Sequence, residues 1–151
     1  MEALTKSQVN KAGRTLRSPW NSLDEASLDR ALDVLLRYRA ANQLPLVKAN
    51  MGLRSVVNTE GCKKIEVSQR LKRVPTILDK LRRQPTMQLS TMQDIGGCRA
   101  VLADTDELRR VQRRLKRNRP PIRERDYIRD PRSSGYRGVH VVVGYEERSG
   151  K

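Results

Sequence analysis

The sequence has no phenylalanine, one tryptophan and four tyrosines, so aromatic packing contributes little to any core. Its two cysteines, Cys62 and Cys98, form no CxxC pair, and a single histidine, His140, accompanies them, which argues against a zinc site. No apolar run approaches the roughly 20 residues of a membrane span, and the N-terminus lacks the apolar segment of a secretory signal. We therefore expect a cytoplasmic protein with reduced thiols and no membrane partner.

Positive charge dominates the composition. The 151 residues include 32 Lys and Arg against 17 Asp and Glu, a formal net charge of +15. Such an excess predicts a polyanionic partner: nucleic acid, nucleotide phosphates or anionic lipid. The densest basic run, Arg109 to Arg119, carries Leu108, Val111 and Leu115 at helical spacing, which predicts an amphipathic helix whose cations form a solvated face.

Periodicity divides the chain into three parts. Residues 1–20 are predicted to form a flexible lead-in, and residues 21–60 to form two N-terminal helices. Ser22 and Glu25 form a capping box for the first helix, which runs to about Asn42, and Pro45 separates it from the second. Residues 61–151 alternate between strands and helices, which predicts an α/β (α+β) fold with a small mixed sheet. The predicted strands are Lys64–Lys72, Cys98–Ala103 and Val139–Tyr145, with helices following Pro75 and Asp104.

Two motifs in this last part suit phosphate chemistry. Arg70 and Lys72 share a strand face, and Lys80 follows in the next helix, so three cations converge as a polyphosphate requires. Solvated surface cations are the alternative. In Asp94-Ile-Gly-Gly-Cys-Arg99, the carboxylate suits Mg²⁺ and the guanidinium suits stacking on a base. The alternative there is a Gly-Gly turn with a structural Asp–Arg pair.

A third motif combines a loop with aromatic side chains. Pro131-Arg-Ser-Ser-Gly-Tyr136 is a loop sequence, and Tyr127 and Tyr136 both lie beside it. An exposed tyrosine flanked by arginine is a stacking platform for a nucleobase. His140 is interpreted either as a core histidine or as a phosphate contact.

Together, the segments SQRLKRVPTILDKL, DIGGCR and RDYIRDPRSSGYRGVH resemble the synthetase domain of the RelA/SpoT family, from about Glu66 to Tyr145. These are the GTP pyrophosphokinases that make the alarmones pppGpp and ppGpp of the stringent response. The resemblance implies a nucleotidyltransferase-like fold with N-terminal helices. It also implies transfer of the β,γ-pyrophosphate of ATP to the 3′-hydroxyl of GDP or GTP, with Mg²⁺ as cofactor.

The resemblance also implies a role for each motif residue. The guanidinium groups of Arg70 and Arg99 would enclose the adenine of ATP, and Asp94 would bind magnesium. Lys72 and Lys80 would contact the ATP phosphates, and Thr76 would be the hydroxyl residue that lies between them in the motif. Four residues would bind the acceptor nucleotide, with the tyrosine stacking on guanine: Arg132, Ser134, Tyr136 and His140.

Two departures from the family pattern bear on these roles. The form SSGYRGVH differs from the long enzymes and resembles single-domain synthetases, some of which modify the 3′ end of tRNA. The family strand ExQxRT, which carries an assisting glutamate, is expected just after Lys151. On this reading residues 61–151 are a partial synthetase domain, and the chain is weakly active or inactive.

The residues alone leave other functions open. A catalytically silent nucleotide- or RNA-binding module, or a toxin-like synthetase that pyrophosphorylates tRNA, would use the same basic residues. RNA or tRNA contact through the basic surface and homo-oligomer formation are further partners that the sequence leaves open.

Overall fold

The computed structural model describes residues 3–63 and 66–144. Within them, helices and short strands alternate, and the expected α/β class is confirmed. The helices are α1 Lys6–Arg17, α2 Glu25–Ala41, α3 Gln43–Thr59, α4 Val74–Arg83 and α5 Thr105–Asn118. The strands are β1 Glu66–Leu71, β2 Gly96–Val101, β3 Arg123–Asp126 and β4 Val139–Val142.

The chain divides into two compact units, and each has a small aliphatic core. The first unit comprises Met1–Leu46 and Gln69–Gly97, and the second comprises Val47–Ser68 and Cys98–Lys151. The fully buried side chains of the first unit are Leu16, Leu35, Ile77, Leu81, Leu89 and Ile95. The core of the second unit consists of Val56, Val57, Cys62 and Val111, with Leu115 packed against it.

The prediction of a flexible lead-in over residues 1–20 is wrong, because helix α1 lies within it. Thr5 and Gln8 form a capping box at its start, in which each side chain bonds to the other's backbone N–H. Val9, Ala12 and Leu16 recur at helical spacing and are buried in the core of the first unit. These three residues form the apolar part of the buried face of a helix that is otherwise largely polar.

Helix α1 is also held at its far end. The guanidinium of Arg17 donates from Nε to the carbonyl oxygen of Leu81 at 2.8 Å, in the last turn of α4. Gly13 faces Leu89 so closely that a Cβ there would lie 3.0 Å from the Leu89 Cβ. These contacts make α1 an integral part of the first unit.

The helix boundaries correct two further predictions. The N-cap of α2 is Asp24, whose carboxylate accepts from the Ser27 N–H, while Ser22 lies in the preceding 3₁₀ turn. Pro45 was predicted to separate the two helices, but it lies in the first turn of α3. A backbone N–H in that turn has no intrahelical acceptor. A proline is therefore tolerated there.

The strands form two two-stranded sheets, β1–β2 and β3–β4, where the sequence predicted one small mixed sheet. The pair β3–β4 is antiparallel, with Arg125 opposite His140 and Asp126 opposite Val139. The sequence did not predict β3, because its four residues Arg-Glu-Arg-Asp show no apolar alternation. β4 is paired with β3 along one of its edges. The parts of the first and last predicted strands at residues 64–65 and 145 lie outside the described residues.

Both glycines of the Gly96-Gly97 pair belong to strand β2, which begins earlier than predicted, at Gly96. The pair therefore extends the strand toward Asp94 instead of forming a turn. Across the described ranges, no helix combines the length and the apolar character that crossing a membrane would require.

The packing of α1 predicts a clear difference between two leucines. We expect Leu16→Ala, at a side chain 1% exposed, to lower the free energy of unfolding by about 2–5 kcal/mol through cavity formation. Leu36→Ala, at a side chain 52% exposed on α2, is the matched control and should change it by about 0.5 kcal/mol or less. Urea unfolding measures both, and equal effects would show that α1 does not dock as described.

Candidate functional site

Three charged side chains from separate segments meet in the first unit. The Lys72 Nζ donates to Asp94 Oδ2 at 2.5 Å, and the Lys80 Nζ donates to Asp94 Oδ1 at 3.0 Å. Lys72 directly follows β1, Lys80 lies on α4, and Asp94 precedes β2 by two residues. We call these three residues the lysine–aspartate cluster. The structure thus joins two of the three cations that the sequence predicted to converge, Lys72 and Lys80, through the predicted magnesium ligand Asp94.

The backbone of Lys72 is held from both sides. Its N–H donates to the carbonyl oxygen of Ile95 at 2.7 Å, and its own carbonyl accepts from Arg39 Nε at 2.7 Å. Ile95 is buried in the core of the first unit, so this bond anchors the cluster to that core. Arg39 was not anticipated, because nothing in its local sequence distinguishes it from the other arginines of α2.

Charge balance explains the geometry of the cluster. Lys72 is only 6% exposed, and a buried ammonium requires a charged or hydrogen-bonding partner. Burial raises the pKa of Asp94, but the hydrogen bonds and charges of Lys72 and Lys80 outweigh it and leave that pKa below its ordinary value of 3.8. The carboxylate is therefore ionised at neutral pH, and the three groups carry a net charge of +1.

The cluster suits an anion together with a hard cation. Its two ammonium groups are donors for phosphate oxygens, and the Asp94 side chain is 46% exposed and accessible to a ligand. Within residues 3–63 and 66–144, no three His, Cys, Asp or Glu side chains gather as a metal-binding group. A metal here would take few protein ligands and complete its shell with phosphate oxygens and water, as Mg²⁺ commonly does.

The other predicted phosphate and adenine residues lie on the surface. Arg70 is exposed on β1, and Thr76 is exposed in the first turn of α4, both in the first unit. Arg99 is exposed on β2 in the second unit.

The predicted acceptor residues gather around tyrosine rings in the second unit. The Tyr136 hydroxyl and the His140 Nε2 are 3.0 Å apart, and their ring centroids are separated by 5.6 Å. The Arg132 guanidinium lies 4.5 Å from the centroid of the Tyr127 ring and donates to its hydroxyl at 2.8 Å. We call Tyr127, Arg132, Tyr136 and His140 the aromatic cluster. His140 is exposed, so the interpretation as a core histidine is wrong.

A tight turn shapes the loop that carries this cluster. The Gly135 N–H donates to the Arg132 carbonyl at 2.8 Å, and Gly135 has φ of 85°, a conformation that favours glycine. Ser134 lies exposed within the turn.

The loop starts from a firmly fixed carboxylate. Asp126 ends β3, accepts from Arg109 Nη1 of α5 at 2.5 Å, and also accepts the N–H groups of Ile128 and Arg129. The hydrogen bond from Arg109, followed by the backbone bond from Arg129, lowers the pKa of Asp126 to about 2.

Helix α5 is amphipathic as predicted, with Val111 buried, but the prediction that its basic run is a solvated face is wrong for several residues. Besides Arg109, Arg114 pairs with Glu60 at 2.7 Å and Lys116 pairs with Glu124 at 2.9 Å. These acids lie far away in the sequence or in the unpredicted strand β3, so local sequence did not reveal the pairs.

The part of the chain that carries the motifs matches a known protein family. A family model described as "Region found in RelA / SpoT proteins" matches residues 69–151, more than half of the chain. The GTP pyrophosphokinase YjbM of Bacillus subtilis is 39% identical over 83 residues, which cover 52% of this chain and 39% of that relative.

Two solved structures share the fold. The small alarmone synthetase 1 from Bacillus subtilis matches with a TM-score of 0.63 and 30% identity, over 72% of this chain and 60% of that one. The same enzyme described as bound to its product pppGpp matches with a TM-score of 0.59 and 34% identity, over 76% and 63%. The chain therefore spans less than two thirds of the length of these relatives.

The Arg109–Asp126 pair predicts a measurable pH dependence. Because the folded pKa of Asp126 lies below 3.8, its ionised form stabilises the fold above about pH 3.8, and this contribution is lost as the pH falls through 2. We expect carboxyl ¹³C NMR to show this low pKa and Arg109→Gln to raise it toward 3.8. Arg113→Gln, at an exposed arginine of the same helix, is the control and should leave it unchanged. An Asp126 pKa insensitive to Arg109→Gln would contradict the pairing.

Proposed function

Because the chain belongs to the RelA/SpoT family, we propose that it transfers the β,γ-pyrophosphate of ATP to the ribose 3′-hydroxyl of GDP or GTP and releases AMP. The predicted family resemblance is confirmed by the family match and by the small alarmone synthetases among its structural neighbours. The observation that carries the proposal is the lysine–aspartate cluster, which joins two phosphate donors to one carboxylate.

In the ATP half, Lys72 and Lys80 bind phosphate oxygens and Asp94 holds Mg²⁺. The metal, when bound, neutralises charge on the transferred group. The ammonium groups act in a partly buried setting, where charge is screened less than on the open surface. The hydroxyl role of Thr76 and the adenine roles of Arg70 and Arg99 rest on the sequence motifs.

In the acceptor half, Tyr136 stacks on guanine, and Arg132, Ser134 and His140 supply polar contacts. The small alarmone synthetase bound to pppGpp supports a guanosine nucleotide as acceptor. The paired cations of α5 reduce the basic surface left for RNA or tRNA, although Arg113 and Arg117 remain exposed. Action in the cytoplasm, where these nucleotides are found, and homo-oligomer formation remain part of the proposal.

The reaction is tested by supplying ATP labelled at its γ-phosphate to the 151-residue chain with GDP, GTP or tRNA. We expect Mg²⁺-dependent label on GDP or GTP, with AMP as coproduct, and loss of both in Asp94→Asn. Transfer above the background of a reaction without protein supports the proposal. Label on tRNA would favour the toxin-like alternative, and ATP binding without transfer to any acceptor would favour a silent binding module.

The cluster predicts an unusual effect of Asp94→Asn on binding. In the unliganded protein the carboxylate pairs with both lysines. The asparagine amide that replaces it has no charge and one acceptor oxygen, so it holds the lysines less strongly and leaves them more available for phosphate. We expect the variant to bind metal-free ATP more tightly than the wild type, by roughly tenfold for one charge-assisted bond, while Mg²⁺ no longer improves binding.

Isothermal titration with and without Mg²⁺ measures both effects. Lys72→Met should weaken ATP binding, whereas Lys11→Met, at an exposed lysine of α1, is the matched control and should not. Weaker metal-free ATP binding by Asp94→Asn would contradict the proposed competition between carboxylate and phosphate.

A further inference from the structure

Tyr127 contacts three of the residues assigned to the acceptor nucleotide. Its ring centroid lies 6.0 Å from that of Tyr136 and 5.2 Å from that of His140, both in T-shaped geometry. Its hydroxyl accepts a hydrogen bond from Arg132, whose guanidinium also lies over the ring. Tyr136 and His140 also contact each other, and the Arg132 N–H donates to the Tyr136 carbonyl at 3.3 Å, but among the side chains Tyr127 is the one that contacts the other three.

The backbone of Tyr127 is anchored at the end of the β3–β4 ladder. Tyr127 directly follows β3, and its N–H donates to the Gly138 carbonyl at 2.7 Å, which continues the β3–β4 pairing by one bond. The preceding residue, Asp126, is tied to α5 through Arg109. Tyr127 itself is half-buried, whereas residues 131–137 are all exposed. The ring therefore lies at the end of the ladder, beside an exposed loop.

We propose that Tyr127 is a positioning residue for the guanine nucleotide: it orients the Tyr136 ring, the His140 imidazole and the Arg132 guanidinium before the nucleotide binds. This inference rests on the proposed function of the acceptor half. T-shaped aromatic contacts fix the relative tilt of rings and contribute about 0.5–1.5 kcal/mol each beyond burial. Tyr136 remains 46% exposed in this arrangement, so a base can still reach its ring.

The physical reason for such a residue is entropic. An exposed loop tyrosine must give up rotamer freedom to stack on a base, and that loss opposes binding. A neighbour that already restricts the ring removes part of this cost, so more of the stacking energy appears as affinity. Tyr127 supplies the restriction without occupying a position that the family motifs assign to the nucleotide.

Two substitutions separate the ring from the hydroxyl. Tyr127→Leu removes the ring contacts, and we expect it to weaken GDP binding by roughly fivefold, the size of one T-shaped contact. Tyr127→Phe retains the ring and loses only the bond from Arg132, so its GDP affinity should lie between those of the wild type and Tyr127→Leu. ATP binding should be unchanged in both. Tyr38→Phe removes another tyrosine hydroxyl, bonded to the Ser90 carbonyl in the first unit, and is the control.

A second measurement does not depend on nucleotide. His140 is the single histidine of the chain, so its imidazole proton signals in NMR are unambiguous. We expect Tyr127→Leu to shift these signals in the unliganded protein, because the ring current of a tyrosine 5.2 Å away is lost. Tyr127→Phe should largely preserve them, and Tyr38→Phe should leave them unchanged.

The two measurements distinguish three results that would overturn the proposed role of Tyr127. Unchanged His140 signals in Tyr127→Leu would overturn the positioning role whatever the protein binds. Shifted His140 signals with an unchanged GDP affinity would show that the orientation of these side chains does not affect binding, and would also overturn the positioning role. A wild type that binds ATP but neither GDP nor GTP would overturn the proposed acceptor, and the role of Tyr127 with it, even though the His140 signals still respond.

Discussion

The sharing of the Asp94 carboxylate between Lys72 and Lys80 is the interaction on which the proposed phosphate chemistry depends. A nearly buried ammonium such as Lys72 is costly unless a charge meets it. Asp94 meets it and also holds Lys80, so the unliganded protein keeps two cations at the spacing of one carboxylate. A phosphate group with several oxygens can take over those bonds, which leaves the carboxylate for a metal ion.

The fold reaches this arrangement through the ends of its secondary-structure elements. Lys72 follows β1, Asp94 precedes β2, and Tyr127 follows β3, so each lies near a point where the backbone enters or leaves a strand. Such positions combine a fixed origin with side chains that are free to meet a ligand. The two units use this principle with different chemistry, since one gathers charges around a carboxylate and the other packs aromatic rings around Tyr127.

Local sequence predicted what depends on local spacing. Helices α2 and α5 were predicted from their apolar spacing, and α4 from Pro75 in its first turn. The strand–helix order predicted the convergence of Arg70, Lys72 and Lys80, and the structure joins the two lysines through Asp94. What local sequence missed depends on distant partners: β3 is a charged tetrapeptide that becomes a strand only by pairing with β4. Helix α1 was missed because few apolar residues mark its buried face. Arg39 has no sequence signal, since its role is defined by a carbonyl 33 residues away.

The net charge of +15 illustrates the same limit of composition. The number of basic residues in α5 alone would predict a broad surface for polyanions. In the structure, however, Arg109, Arg114 and Lys116 form ion pairs with carboxylates outside the helix. Such pairs lower the local field without changing the sum of charges. Affinity for a phosphate depends instead on cations whose partner can be exchanged for it, and a carboxylate that also suits a metal is such a partner. The lysine–aspartate cluster has a net charge of only +1, but a phosphate can replace the carboxylate as the partner of its two lysines. This arrangement, more than the net charge of the protein, makes the cluster the best candidate for nucleotide chemistry.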